Sequence, residues 1–78
     1  MAIQQFYIEA ILNDPSKKWV LMEFAGVCSF YRLYSTRAEA YHDKKWYEIN
    51  GKVVKARDFI EQFGTQEQKE KYKEIHNV

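Results

Sequence analysis

Proline occurs once, cysteine once and glycine three times in this chain of 78 residues. A lone cysteine, Cys28, makes no disulfide within the chain, so no covalent staple holds a domain this small together. With Pro15 alone and the glycines scattered, there is no flexible linker, no low-complexity tract and no glycine-rich phosphate loop. Long apolar runs are missing too; none approaches the ~20 residues of a membrane span. Neither sign of charge dominates. Twelve Lys and Arg against eleven Asp and Glu leave a net charge of +1, which gives no global pull toward nucleic acid or an acidic bilayer. Met1-Ala2-Ile3-Gln4-Gln5 lacks the basic and apolar regions of a secretory leader, so the expected location is the cytoplasm.

Aromatic residues are what the chain has in plenty, at 17%. Each buried ring removes roughly 150–250 Å² from water, which helps a short chain build a core. The length fits one domain, residues 1–78. Three runs rich in aromatic and β-branched residues predict strands: Phe6–Leu12, Trp19–Phe24 and Cys28–Tyr34. Asn13-Asp14-Pro15-Ser16 and Ala25-Gly26-Val27 supply the turns, Gly26 at positive φ. The expected fold is α+β, with a three-stranded N-terminal antiparallel meander followed by two or three helices.

Thr36 and Glu39 have the spacing of a capping box. They predict a helix with Ala38, Tyr41, Trp46 and Ile49 on one side, ending at Asn50-Gly51 with Gly51 left-handed. A second reading stands beside it. Asn-Gly is the favoured type I′ pair, so residues 46–55 also suit a hairpin that extends the sheet. Ala56, Phe59, Ile60 and Phe63 predict a further helix that stops at Gly64. Thr65 and Gln68 open a last one, in which only Tyr72 and Ile75 can bury.

No residue set converges on catalysis, a cofactor or a metal. Glu39, His42 and Asp43 share a helix face, but a metal site needs three or four ligands and supporting partners, so a solvated polar face is expected. Cys28 has no base or positive field to activate it. Glu9, Glu23 and Arg32 read as a cross-strand ion pair rather than as acid–base machinery, since the arginine keeps the carboxylates ionised.

The alternation of the strands gives two apolar faces. One holds Phe6, Ile8, Val20, Met22, Phe24, Tyr31 and Leu33 and must be covered by the helices. The other holds Tyr7, Trp19, Leu21, Phe30, Arg32 and Tyr34. These six are expected to form a contact surface, with Trp19 and Tyr34 as anchors. The expected function is that of a non-enzymatic protein-binding module, of the kind phages and mobile elements encode to inhibit a host enzyme. A second copy of the chain is an alternative occupant of this face, and so are the C-terminal helices, which would make it a second small core. The alternative function is RNA or single-stranded DNA binding, through the same aromatic face and a basic cluster of Lys44, Lys45, Lys52, Lys55 and Arg57. No membrane partner is expected.

Overall fold

The structure, a computed structural model, describes residues 3–25 and 28–76; the side chains of residues 25–30 lie outside that description. Along the chain come α1 (Ile3–Asn13), β1 (Trp19–Ala25), β2 (Cys28–Tyr34), α2 (Arg37–Trp46), β3 (Gly51–Lys55), α3 (Ala56–Phe63) and α4 (Gln66–His76). The fold is α+β, and its three strands form an antiparallel sheet in the order β2-β1-β3. Among the described residues, no helix is long and apolar enough to cross a membrane.

The first strand of the expected meander is a helix instead. Phe6, Ile8, Ala10 and Leu12 satisfy a strand's alternation, yet Ile8, Ile11 and Leu12 sit at helical spacings of three and four. Those three are the residues α1 buries. The Asp-Pro turn then ends it, with Asp14 Oδ1 accepting from Ser16 Oγ at 2.6 Å.

The sheet's third strand is β3, which pairs with β1 from Glu23↔Gly51 to Trp19↔Lys55. Residues 46–49 belong to the end of α2 and the turn after it, so there is no hairpin at Asn50-Gly51. Glycine is required at position 51 because a Cβ there would run into the Met22 carbonyl oxygen of β1. Close backbone approach, and not a left-handed turn, explains the residue. Gly26 lies outside the described residues.

The alternation along β1 and β2 divides the sheet as expected. Val20, Met22 and Tyr31 face one way, where α1 and α3 bury Ile8, Ile11, Leu12, Phe59 and Ile60 against them. Tyr72 and Ile75 of α4 pack on the rim of this core. Phe24, at the end of β1, stays half exposed. On the opposite face Leu21 and Tyr34 are buried with Ala40 and Ile49, the latter from the turn after α2. The sheet is therefore covered on both sides, with three helices on one and a single helix on the other.

Polar ties fix α4. Thr65 N–H donates to Gln68 Oε1 at 2.9 Å, and Gln68 N–H donates to Thr65 Oγ1 at 3.2 Å, a complete capping box. Gln68 is itself buried. Its Nε2 donates to Gln5 Oε1 at 2.6 Å and Glu9 Oε1 at 3.0 Å, while Gln5 Nε2 donates to the Phe63 carbonyl. Glu9 thus serves a helix–helix tie and is not part of a ladder with Glu23 and Arg32.

Candidate partner-binding surface

Helix α2 is capped at both ends. At its start, Glu39 N–H donates to Thr36 Oγ1 at 3.2 Å, and the Thr36 hydroxyl donates to Glu39 Oε1 at 2.9 Å. At its finish, Ile49 N–H donates to the Lys44 carbonyl at 2.9 Å and Glu48 N–H to the Lys45 carbonyl at 3.3 Å. This six-to-one and five-to-two pair is a Schellman ending. Glu48, at φ 52°, takes the left-handed position that the sequence suggests for Gly51. The motif turns Ile49 back under the helix, where it is buried.

Midway, the Tyr34 hydroxyl donates to Asp43 Oδ2 at 2.9 Å. Burial first, and then this hydrogen bond, push the Tyr34 hydroxyl from its usual 10.0 up to about 12. Asp43 is held below the ordinary carboxylate range by hydrogen bonds from His42 and then Tyr34. The His42 Nδ1 lies 3.2 Å from Asp43 Oδ1. Glu39 turns back to the cap, so the three polar residues of this face do not converge. Among the described residues no cluster of three His, Cys, Asp or Glu side chains has metal-binding geometry.

The small residue Ala40 makes the close contact with the sheet, which puts the large residues of α2 on the outside. The stripe expected to bury is out of phase: Ala38, Tyr41 and Trp46 are exposed, and of that set only Ile49 is buried. Exposure reaches 44% for Tyr41, 72% for Trp46 and 60% for Tyr47. Cations and rings are interleaved around them. The Arg37 guanidinium lies 5.0 Å from the Tyr41 ring centroid and 5.9 Å from that of Trp19. Arg32 lies 5.7 Å from the Tyr47 ring, and His42 stacks on Trp46 at 6.0 Å. A groove of about 450 Å³ runs from Trp19, Arg37 and Tyr41 along β3, past Lys52 and Lys55.

The residues expected to make the contact surface are dispersed by this arrangement. Leu21 and Tyr34 are buried beneath α2 as a second core, so they do not present a surface. Tyr7 is on α1, on the other side of the sheet, with its ring 5.3 Å from that of Tyr31. The Phe30 side chain, like that of Cys28, lies outside the described residues. Arg32 is exposed and 3.9 Å from Glu23, a weak surface pair. Among the described residues of this set, only Trp19 joins the groove.

The basic cluster divides too. Lys52 and Lys55 line the groove with Trp19, whereas Arg57 lines a separate cleft of about 370 Å³ between α3 and α4. Lys44 and Lys45 occupy the last turn of α2. Sequence reasoning missed Arg37 and the exposure of Tyr41, Trp46 and Tyr47. The available signal was weak: α2 has two alanines, Ala38 and Ala40, either small enough to let the helix sit close on a sheet, and it is Ala40 that does so.

Comparison with protein-family models, with curated proteins and with solved structures returns no match.

Proposed function

We propose that this chain is a small non-enzymatic protein-binding module whose contact surface is the outer side of α2 together with the groove along β3. The observation that carries the reading is the exposure of Tyr41, Trp46 and Tyr47 around one well-anchored helix. Tryptophan, tyrosine and arginine are the residue types that dominate binding energy at protein interfaces, and here they alternate. Acidic side chains interrupt the cations: Glu39, Asp43 and Glu48 belong to the same segment. That mixture suits a protein partner better than a phosphate backbone. A module of this kind acts by occupying a surface, as small accessory proteins of phages and mobile elements do when they block a host enzyme.

A second reading, single-stranded nucleic acid, is favoured by one observation: Arg37, Lys52 and Lys55 share a groove with Trp19 and Tyr41. Stacking rings beside cations are the usual elements of such sites.

Affinity capture from lysate, with wild type and a Trp46→Ala/Tyr47→Ala variant side by side, tests the first reading. The wild type should retain a protein through a high-salt wash. The variant should lose it, each anchor costing about 2 kcal/mol or more. Capture of nucleic acid released steeply by salt, or a protein held equally by both chains, would sink it.

A further inference from the structure

From the register of β3 we infer that the groove takes its partner by strand addition: an extended, acidic segment pairs with the free edge of β3. This rests on the protein-binding reading and specifies its mode. Strand β3 is at the sheet's edge. Phe24 N–H donates to the Asn50 carbonyl and Ala56 N–H to the Lys18 carbonyl, both at 2.8 Å. Bonded positions in an antiparallel ladder recur at every second residue. Residues 50, 52, 54 and 56 therefore turn their backbone groups to β1. Gly51, Val53 and Lys55 turn theirs away, and no strand among the described residues meets them.

The groove lies along this edge, since residues from both faces of β3, Lys52 to Lys55, all line it. A strand laid there would place alternate side chains beside Trp19 and Tyr41, and main-chain pairing would supply affinity, as in other sheet-edge complexes. Charge selects the occupant. Arg37, Lys52 and Lys55 face the groove against one carboxylate, Asp58. Lysines on an edge discourage a second copy from pairing, because antiparallel β3–β3 contact would bring like charges together. An acidic strand meets the same lysines favourably.

Position 55 allows a clean test. Its backbone, at φ −69° and ψ 144°, already has the φ that proline imposes. Lys55→Pro removes one outward N–H without touching the bonds to β1, while Lys55→Gln keeps the N–H and removes the charge. The probe is the peptide acetyl-Asp-Val-Glu-Phe-Glu-Val-Asp-amide, beside a copy N-methylated at alternate residues and a copy with lysine in place of each acid. Titration followed by amide shifts and hydrogen exchange should show the acidic peptide protecting the Val53 and Lys55 amides. Lys55→Pro should weaken binding about tenfold and Lys55→Gln only a few-fold, and neither control peptide should bind. Exchange on the wild type decides the matter even if Lys55→Pro fails to fold. Unchanged exchange at Val53 and Lys55, or equal binding of the N-methylated peptide, overturns strand addition. So does protection of these amides by self-association without peptide. If a captured partner depends on Trp46 and Tyr47 but not on the Lys55 amide, the protein-binding reading stands and strand addition falls.

Discussion

The two faces of the sheet are built differently. Among the described residues, nine are buried in one cluster beneath α1, α3 and α4, and four beneath α2. The first face needs little beyond packing, with Tyr31 and Phe59 meeting edge to face at 5.2 Å in its middle. The second is held by a small cluster around Leu21 and Ala40 and by one tyrosine–aspartate hydrogen bond, beneath a helix capped at both ends. A chain of 78 residues has little apolar surface to spend on two full cores. The face that is packed most thinly is also the one whose helix leaves its aromatic side chains outside. The exposed rings of α2 and the larger core thus lie on opposite faces of the sheet.

The largest effect should come from the thick face. Phe59→Ala is expected to cost about 3–5 kcal/mol and to abolish cooperative unfolding in a thermal melt. Leu21→Ala, on the thin face, leaves a cavity that α2 can partly close by settling. Its cost should fall near the low end of the usual range, about 2 kcal/mol, with hydrogen exchange rising in α2 ahead of α3. Equal loss at the two positions, or simultaneous release of both helices, would mean the faces form one cooperative core.

Gly51→Ala drives a Cβ at the Met22 carbonyl. The strand must move away from β1, at about 1–3 kcal/mol, and a denaturant titration should show it. Because β3 carries both the groove and the path to α3, this variant should disturb the two faces together.

Tyr34→Phe sharpens the comparison through pH. A tyrosine whose pKa is raised by folding contributes stability that is complete below pH 10 and disappears as pH climbs toward about 12. The variant should lose about 1 kcal/mol near neutrality, through the missing hydrogen bond. Its denaturation midpoint should also decline less steeply than wild type between those pH values. A parallel decline in the two proteins would remove Tyr34 from the account of what holds α2.

The smallest effect is a gain. Glu48 occupies a left-handed conformation that suits glycine. Glu48→Gly should stabilise the end of α2 by about 0.5–1 kcal/mol, seen as a higher melting temperature.

The strands read at Trp19–Phe24 and Cys28–Tyr34, the Thr36 N-cap, the Thr65–Gln68 capping box and the stripe Ala56, Phe59 and Ile60 were legible in the sequence, because each rests on local spacing or alternation. At Thr36 only half of the expected box forms, since Glu39 Oε1 accepts from the hydroxyl and not from the backbone N–H. Residues 6–12 were not. An apolar run that short satisfies both periods, and the choice was made by α3 and α4, which bury Ile8 and Ile11 from elsewhere in the chain. For the same reason β3 was not placed. Its Lys-Val-Val-Lys pattern says strand, but only the partner β1 says which strand it joins. The contact surface was read from alternation along β1 and β2, and that alternation holds. What could not be read was the phase of α2, which is decided by Ala40 and turns Trp46 outward while covering Leu21.

Lys55 is both the last residue of β3 and the cap of α3, with no residue between the two elements. A strand joined to a helix in this way cannot slip. Sliding β3 by one position against β1 would exchange its inward and outward side chains. It would also rotate the helix that follows by about 100°, carrying Phe59 and Ile60 out of the core. The junction therefore acts as a register lock: the pairing of β3 is enforced from a distance by the packing of α3, and the edge that strand offers keeps a single phase.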